Sequence, residues 1–315
     1  MTLLRPQALK PGDHVAVVCL SSPIDKPAKL ESGMQAMAQV GLKAEAFPSA
    51  LAGGTMYDYL AGDDEQRVAD LTRALTDPKY AAVFLAKGGY GVQRALQKMD
   101  WSLVDPTRPK VVVGYSDATA LLEALAVKLG WVSLFGPMVA CQGFREGVDE
   151  YDFKELMRLL FTPADVSGLT FKNHRTVVRG TAEGMTLGGT ATLLATNLGT
   201  DTSYPAQDAI LLLEDVDERP FRLDRIITQI RRSNYLKGVA GIILGSFTEC
   251  GDPKAIEAML VERLGDLGVP LLAGADIGHN TAMQTYPIGV QARLDADRGT
   301  LTFLDPVLLD TRESE

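Results

Sequence analysis

Three short runs in the first half of the chain are apolar at nearly every position, namely residues 15–20 (VAVVCL), 81–86 (AAVFLA) and 111–115 (VVVGY). A strand with one face in water alternates apolar and polar residues, so these runs predict strands that are covered on both faces. Segments with helical spacing of apolar residues lie between and after them, at residues 28–40, 64–75 and 118–129. This alternation predicts a doubly wound α/β domain around a parallel sheet, whose sites lie at the carboxyl ends of the strands.

The second half of the chain shows the same alternation with more glycine and more loop. Strands are predicted at residues 209–213, 239–244 and 271–275, helices at 221–232 and 255–264, and a terminal hairpin around 295–299. Between the halves, residues 162–179 lose clear periodicity, which is typical of a linker. At about 150 residues per domain, a chain of 315 residues holds two domains. We therefore expect an N-terminal α/β domain over residues 1–165, a linker over 166–183 and a smaller, mixed α/β domain over 184–315.

Acidic residues outnumber basic ones, and this limits the partners of the protein. The chain has 31 Lys and Arg against 40 Asp and Glu, a net charge of -9, and therefore no general attraction for nucleic acid or anionic lipid. Its apolar runs are far shorter than the ~20 residues that cross a bilayer, and its first residues lack the apolar core of a secretory signal. We expect a cytoplasmic protein with no nucleic-acid or membrane partner.

Cysteine and histidine usage argues against disulfides and metal centres. Cys19, Cys141 and Cys250 are odd in number and widely spaced, which does not favour a disulfide framework or a Cys-x-x-Cys metal site. The three histidines are scattered, and none belongs to a His-x-x-x-His or Glu-x-x-His pair. We therefore expect no metal site.

A predicted strand that turns directly into a helix carries the most informative serine. Residues 110–120 (KVVVGYSDATA) place Ser116 at this bend, between the small residues Gly114 and Ala118. A nucleophilic serine in a strained strand-to-helix turn needs small neighbours two positions away on either side, so Ser116 is a candidate nucleophile. The alternative is that Ser116 or Asp117 only caps the following helix.

A serine nucleophile needs a general base, and the chain offers three histidines. His14 begins the first strand, at the end of the sheet opposite to the expected site, and His174 lies in the polar linker, where we expect it to be solvated. His279 follows the predicted strand 271–275 in a glycine-flanked loop, so its position makes it the best candidate base.

A carboxylate that orients the imidazole would complete a catalytic triad. Glu214 directly follows the apolar run 209–213, and Asp215 and Asp217 come close behind it. The pattern leaves the choice among these three acids open, and a solvated acidic turn is the alternative to a catalytic one.

Residues 87–91 (KGGYG) form a glycine-rich loop after another buried strand. Their spacing does not fit the G-x-G-x-x-G pattern of dinucleotide-binding proteins. Glycines let backbone N–H groups approach a ligand closely, so the N–H groups of Gly89 and Asp117 are candidates for an oxyanion hole, with a plain tight turn as the alternative. Because the nucleophile, base, acid and glycine loop all fall at the carboxyl ends of predicted strands, the sequence favours a serine hydrolase.

Specific short motifs occur along nearly the whole chain: residues 9–23, 59–62 (YLAG), 64–67 (DEQR), 87–91 (KGGYG), 114–117 (GYSD), 136–138 (GPM), 213–215 (LED), 278–279 (GH) and 287–289 (PIG). Together they resemble the LD-carboxypeptidases, or muramoyltetrapeptide carboxypeptidases, a family of serine peptidases. The resemblance maps the family's triad onto Ser116, Glu214 and His279 and thereby selects Glu214 among the three acids. It implies an N-terminal domain like the class I glutamine amidotransferases and a smaller C-terminal domain that supplies Glu214 and His279.

The same resemblance implies an activity, namely removal of the terminal D-Ala from murein tetrapeptides, at the bond formed by an L-diamino acid, in cell-wall recycling. It implies a homodimer without a cofactor, and it makes Lys87, Gly88 and Tyr90 candidates for substrate contact. Many members carry Arg where this chain has Lys87, whose ammonium lacks the bidentate geometry of a guanidinium. For Tyr90 and Trp131, the sequence leaves open whether they line a substrate groove or pack in the core.

Other functions are compatible with parts of the pattern. Relatives of the same fold hydrolyse acyl-sulfamoyl or peptidyl-nucleotide antibiotics of the microcin C type and confer self-immunity, but they tend to lack the Gly-Gly-Tyr-Gly loop. A non-catalytic, muropeptide-binding sensor is disfavoured because Ser116, Glu214 and His279 are all present. A true α/β-hydrolase is disfavoured because the G-x-S-x-G motif is incomplete.

Overall fold

The computed structural model describes residues 3–148 and 150–310. The outer ends of the two predicted domains, residues 1–2 and 311–315, lie outside the described residues. The strands are, in chain order, β1 (His14–Val18), β2 (Lys43–Ala46), β3 (Tyr80–Leu85), β4 (Val111–Gly114), β5 (Ser133–Phe135), β6 (Gly168–Thr170), β7 (Arg175–Val178), β8 (Thr181–Thr190), β9 (Ala209–Val216), β10 (Gly241–Thr248), β11 (Leu271–Ala273), β12 (Tyr286–Ile288), β13 (Gln291–Asp295) and β14 (Thr300–Phe303).

The helices are α1 (Pro27–Gln39), α2 (Pro48–Leu51), α3 (Asp64–Thr76), α4 (Val92–Lys98), α5 (Thr119–Lys128), α6 (Gln142–Arg145), α7 (Tyr151–Phe161), α8 (Ala191–Asn197), α9 (Pro220–Arg232) and α10 (Pro253–Leu264). Several begin with a proline, which tolerates the first helical position because the N–H there has no helical partner. Others begin with a capping aspartate, such as Asp63, whose side chain accepts a hydrogen bond from the N–H of Gln66. Within the described ranges, no helix combines the length and the apolar character needed to cross a membrane.

The first sheet has six strands within the described residues, in the order β12-β5-β4-β3-β1-β2. Strands β1 to β5 are parallel, and β12 joins the edge of the sheet in the antiparallel direction. The central strands β1, β3 and β4 are buried along almost their whole length, as expected for strands covered on both faces. The predicted α/β architecture with a parallel sheet is therefore confirmed.

The second sheet has eight strands in the part of the chain that the structure describes, in the order β6-β14-β13-β8-β9-β10-β11-β7. The strands β8 to β11 are parallel, and antiparallel strands extend both edges. This mixture confirms the predicted mixed α/β character of the second half. Residues 166–183, which the sequence predicts to be a linker, contribute β6, β7 and the first residues of β8 to this sheet, and the domain limits remain a prediction.

The two sheets pack against each other at the ends where the candidate site residues lie. Strand β12 belongs to the second half of the chain but pairs with β5, and the hydroxyl of its Tyr286 donates to the carbonyl of Ile210 in β9 over 2.8 Å. The N–H of Thr190, the last residue of β8, donates to the hydroxyl of Thr119 in α5 over 3.1 Å. The contact between Thr190 and Thr119, with the pairing of Thr190 and Glu214, brings the carboxyl end of β4 next to the carboxyl ends of β8 and β9, whereas the Tyr286 contact lies at the amino end of β9.

The strand predicted over residues 209–213 is longer in the structure. It continues to Val216 as β9, so Glu214 and Asp215 lie within the strand and not after it. Acidic residues are depleted in strands, which is why the apolar pattern ended three residues before the strand does. Pairing with β8 and β10 overrides that preference, since Thr190 pairs with Glu214 and Phe247 pairs with Asp215.

Candidate active site

Ser116 stands at a sharp turn between β4 and α5. Its φ of 63° lies in the left-handed region, which costs energy for any residue with a side chain. The turn is tight enough that a Cβ at Gly114 would lie 2.8 Å from the Cβ of Ala118. Small residues at both positions therefore allow the bend, as the sequence analysis predicts for a nucleophile elbow. Within the described residues, the Ser116 hydroxyl makes no hydrogen bond, so it is free to meet a substrate.

His279 is bound to the carboxylate of Glu214. The distance from His279 Nδ1 to Glu214 Oε2 is 2.8 Å, and the backbone N–H of His279 donates to the same oxygen over 3.3 Å. Glu214 is completely buried, while the side chain of His279 keeps 16% of its surface exposed. Because a carboxylate oxygen accepts hydrogen bonds, Nδ1 is the donor to Glu214, and the neutral form of the ring then has its lone pair on Nε2. This is the tautomer that a general base needs.

Thr190 joins this pair to the serine turn. Its hydroxyl donates to Glu214 Oε1 and lies 3.4 Å from the backbone carbonyl of Ser116. A buried carboxylate is costly unless it is hydrogen-bonded, and Thr190 and His279 together satisfy both oxygens of Glu214. Thr190 was not predicted from the sequence, because a threonine after two glycines has no motif that indicates this role.

A ring contact provides a second link between the two halves of the site. Tyr115, which precedes Ser116, lies with its ring centre 4.9 Å from that of His279, at an interplanar angle of 55°. The imidazole of His279 therefore packs against the ring of Tyr115. Within the described residues, His279 Nε2 makes no hydrogen bond. Thr190 and Tyr115 therefore join the Glu214–His279 pair to the turn that carries Ser116.

Glu214, Asp215 and Asp217, the three acids among which the residue pattern left the choice open, have different surroundings in the structure. Asp215 accepts hydrogen bonds from the N–H and the hydroxyl of Thr192 over 2.9 and 2.8 Å, and burial raises its pKa to about 6. Asp217 is exposed, in a turn with a φ of 54°. Only Glu214, among these three, contacts His279.

The glycine loop lies directly against Ser116. A Cβ at Gly88 would stand 3.0 Å from Ser116 Oγ, and Gly89 has a φ of 122° with its Cα close to the hydroxyl of Ser22. No described residue accepts a hydrogen bond from the N–H of Gly89. Asp117 lies in the first turn of the helix that follows Ser116, where backbone N–H groups have no partner inside the helix. Gly88, the neighbour of Gly89, and Asp117, the neighbour of Ser116, thus bring the loop and the helix start together at Ser116, and the oxyanion hole stays a prediction.

The side chain of Asp117 has a structural role that no sequence motif indicates. It is buried, and its Oδ2 accepts hydrogen bonds from the Ser21 hydroxyl over 2.6 Å and from the N–H of Val92 over 2.9 Å. These contacts tie the loop after β1 and the start of α4 to the serine turn. Burial raises the pKa of Asp117 to about 6. The sequence signal for this role is the pair Ser21 and Ser22 after β1. It indicates a contact with Asp117 only once β1 and β4 are known to lie in one sheet.

Lys87 and Tyr90 flank the glycine loop. The ammonium of Lys87 donates to the carbonyl of Pro23 over 2.8 Å, and within the part of the chain that the structure describes it forms no ion pair. Tyr90 is 48% exposed, whereas Trp131 is completely buried and donates from its indole N–H to Pro106. The sequence left open whether each of these two residues lines a groove or packs in the core. In the structure Trp131 packs in the core, whereas Tyr90 faces solvent.

The other two histidines lie away from the site. His14 begins β1, at the opposite end of the first sheet. His174 was predicted to be solvated, but its ring contacts the carbonyls of Phe171 and Asp297 at 2.9 and 3.3 Å, because β6 and β14 enclose this segment.

A cavity of about 870 Å³ lies beside Tyr80 and Lys110, at the same end of the first sheet as His14. Among the described residues, no group of three or more His, Cys, Asp or Glu side chains is placed to hold a metal ion.

Comparison with known proteins gives the family. Residues 15–136 match the LD-carboxypeptidase N-terminal domain, and residues 183–294 match the LD-carboxypeptidase C-terminal domain. A protein of Streptomyces coelicolor whose name places it among the carboxypeptidases is 43% identical over 307 residues, which cover 97% of this chain and 98% of that protein. The murein tetrapeptide carboxypeptidase of Pseudomonas aeruginosa is 31% identical over 250 residues, covering 77% of this chain and 81% of that protein. The chain belongs to the LD-carboxypeptidase family, as its motifs predicted.

Solved structures share the fold. The muramoyltetrapeptide carboxypeptidase of Oxalobacter formigenes superposes with a TM-score of 0.76 at 24% identity, over 92% of this chain and 97% of that chain. The protein MccF, solved in complex with glutamyl sulfamoyl guanosine, superposes with a TM-score of 0.87 at 20% identity, over 97% of this chain and 100% of that chain. These similarities confirm the two-domain α/β architecture.

Proposed function

We propose that the protein is a serine carboxypeptidase that removes the terminal D-Ala of murein tetrapeptides, at the bond formed by an L-diamino acid. The observation that carries this proposal is the 2.8 Å contact between the buried carboxylate of Glu214 and Nδ1 of His279, beside the strained turn that presents Ser116. Membership of the LD-carboxypeptidase family and the name of the Pseudomonas aeruginosa relative support the reaction and the substrate class.

In the first half of the proposed reaction, His279 Nε2 takes the proton of Ser116 Oγ. The oxygen attacks the carbonyl carbon of the diamino acid, a C–O bond forms, and the carbonyl electron pair moves to the oxygen. Collapse of this intermediate breaks the C–N bond, and the proton on Nε2 passes to the departing amine of D-Ala. Glu214 stabilises the imidazolium that exists between these two proton transfers.

In the second half, a water molecule gives a proton to Nε2 and attacks the ester carbonyl. The C–O bond to Ser116 then breaks, and the proton on Nε2 passes to Ser116 Oγ, which restores the hydroxyl. The tripeptide leaves with a new carboxylate. In both halves the N–H groups of Gly89 and Asp117 donate to the negative oxygen, where fixed dipoles act without reorganisation.

A carboxypeptidase also has to recognise the carboxylate at the end of its substrate. Lys87 suits this role because its ammonium lies beside the glycine loop, uses one donor on Pro23 and forms no ion pair within the described residues. A neighbouring cation that is not neutralised by the protein attracts an anion of the substrate. Gly88 leaves space for the substrate between this cation and Ser116, because its hydrogen stands where a Cβ would touch Ser116 Oγ at 3.0 Å.

In this proposal the enzyme works in the cytoplasm, as a homodimer and without a cofactor, on peptides released in cell-wall recycling. The resemblance to the family supports this setting. Sedimentation of the purified protein at two concentrations tests the dimer, since a monomer at both would contradict it.

Release of D-Ala tests the proposed function. The tetrapeptide L-Ala-γ-D-Glu-diaminopimelate-D-Ala is incubated with the native protein or with Ser116→Ala, and the products are measured by mass spectrometry. We expect loss of one alanine residue with the native protein only. Absence of cleavage by folded native protein would contradict the proposal. Cleavage of an acyl-sulfamoyl nucleoside in its place would assign the protein to the chemistry of the ligand bound to MccF.

A further inference from the structure

The glycine loop lies between the loops that follow β1 and β4, because these two strands flank β3 in the first sheet. On the β1 side, Ser22 holds it at two points. The N–H of Ser22 donates to the carbonyl of Gly88 over 3.3 Å, and its hydroxyl accepts from the N–H of Tyr90 over 3.4 Å. A Cβ at Gly89 would clash with this hydroxyl. Ser22 therefore bridges the residues on either side of Gly89.

On the β4 side, Asp117 holds the end of the loop. Burial raises the pKa of Asp117 to about 6, while hydrogen bonds from Ser21, Val92 and the N–H of Gly91 favour its ionised form. The bonds from the Ser21 hydroxyl and the Val92 N–H are 2.6 and 2.9 Å long. Because Asp117 adjoins Ser116, one carboxylate joins the end of the loop to the turn that carries the candidate nucleophile.

Ser21 is held from a third side. Its carbonyl accepts from the N–H of Ala61 over 2.9 Å. The guanidinium of Arg67, which is completely buried, donates to the carbonyls of Ala61 and Gly62 over 3.1 and 2.9 Å. Against the effect of burial, the positive charge of Arg67 also lowers the pKa of Asp117. Buried polar networks of this kind make the groups that they join rigid.

Two N–H groups of the glycine loop are left without a protein partner. No residue that the structure describes accepts a hydrogen bond from the N–H of Gly88 or Gly89, whereas the N–H groups of residues 90–92 all have an acceptor. Gly88 is also the residue whose Cβ position lies 3.0 Å from Ser116 Oγ. Donors beside a reacting atom stabilise a negative oxygen best when they are already fixed in place.

We propose that the side chains of Ser21, Ser22 and Asp117, together called the loop clamp, are positioning groups that fix the glycine loop for the reaction at Ser116. This inference rests on the proposed function, in which the N–H of Gly89 donates to the negative oxygen. The clamp acts through the loop and not on the reacting atoms. Its loss lets the loop N–H groups move, which weakens the transition state more than the bound substrate, so kcat falls while KM changes little.

The first test measures kcat and KM for release of D-Ala from the tetrapeptide. Ser21→Ala removes one clamp hydroxyl, and kcat is expected to fall about tenfold with KM within about twofold of native. Ser102→Ala is the matched control and should leave both constants unchanged, because the exposed Ser102 hydroxyl donates to Asp100 over 2.7 Å before β4 begins. An unchanged kcat in Ser21→Ala, or an equal loss in the control, would overturn the inference.

Two substitutions of Asp117 separate positioning from mere stabilisation of the fold. Asp117→Ala removes the acceptor, and kcat should fall about 100-fold. Asp117→Asn keeps an acceptor oxygen and should recover about tenfold of that loss. Urea unfolding shows that both variants are folded under the assay conditions. Equal kcat values for the alanine and asparagine variants would overturn the inference, because the acceptor oxygen would then not matter.

Hydrogen exchange tests the clamp without turnover. The amide hydrogens of Tyr90, Gly91 and Val92, followed by NMR, should exchange about tenfold faster in Ser21→Ala than in native protein, and at the native rate in Ser102→Ala. Equal exchange in native and Ser21→Ala protein would overturn the inference, whatever the activity. Faster exchange in Ser21→Ala, together with native protein that releases no D-Ala, would support the clamp and contradict the proposed function.

Discussion

Ser116 and the Glu214–His279 pair are held in place by different means. Ser116 is fixed by its backbone, with a φ of 63° between a buried strand and a helix, and its hydroxyl makes no hydrogen bond within the described residues. Glu214 and His279 are fixed by side-chain hydrogen bonds, with Thr190 on one carboxylate oxygen and His279 on the other. One sheet therefore supplies a strained turn, and the other supplies a satisfied polar network.

This difference shows which parts of a site are local in the chain. The turn at Ser116 depends on Gly114 and Ala118, two positions away on either side, so its requirements are visible as a motif. The polar network joins Glu214 to a histidine 65 positions later and to a threonine 24 positions earlier. Nothing about a single segment reveals such a network, which forms only when β8, β9 and the loop after β11 come together.

Removal of the nucleophile is expected to have the largest effect on activity. Ser116→Ala should lower the turnover of tetrapeptide by roughly 10⁴-fold or more, while substrate binding persists. The rate of D-Ala release and calorimetric binding of the substrate check this. Turnover within tenfold of the native rate would show that the strained turn serves stability or another function and not covalent catalysis.

Loss of the acid should have the next largest effect. In Glu214→Gln an amide replaces the carboxylate beside Nδ1, so the required tautomer of His279 is no longer favoured and turnover should fall roughly 10³- to 10⁴-fold. Asp217→Asn changes an exposed acid in the same segment and is the matched control, with turnover expected within about twofold of native. Equal losses of turnover in both variants would contradict the view that the buried Glu214 is catalytic and the exposed Asp217 is not.

Asp117 predicts a specific dependence of stability on pH. Burial raises its pKa from 3.8 to about 6, so the folded protein keeps this proton between those values while the unfolded chain releases it. Unfolding therefore releases a proton in this window, and the contribution of Asp117 to stability falls as pH rises from about 4 to about 6. In Asp117→Asn this decline is removed, so the variant should gain stability relative to native protein across the window.

Urea unfolding of both proteins at several pH values measures this effect. Asp100 is a control with the opposite pH dependence. Hydrogen bonds from Ser102 lower the pKa of Asp100, so its contribution to the free energy of unfolding grows as pH rises. A constant difference between Asp117→Asn and native protein from pH 4 to 7 would show that the buried carboxyl is not the group that titrates.

The smallest expected effect isolates the backbone strain of the turn. Ser116→Gly and Ser116→Ala both remove the hydroxyl, but only glycine adopts a φ of 63° without strain. The glycine variant should be more stable than the alanine variant by about 1 kcal/mol. Thermal unfolding of the two inactive proteins checks this, and an alanine variant of equal or greater stability would contradict the description of Ser116 as strained.

The sequence was sufficient for the fold and for the positions that chain-local patterns define. Apolar runs predicted β1, β3 and β4, and the small residues around Ser116 predicted its turn. The sequence was insufficient where long-range pairing decides, as in β9, which extends through Glu214 because β8 and β10 pair with it there. For the same reason the contacts of Thr190 and of the Asp117 side chain were not foreseen.

The most direct test of the account asks whether Ser116 and His279, which come from different sheets, act as one unit. The rate of D-Ala release is measured for Ser116→Ala, for His279→Ala and for the double variant. Residues that act together in one proton transfer are not additive, so the double variant should be about as slow as either single variant. Losses that multiply in the double variant would contradict the account, because they would mean that the two side chains contribute independently.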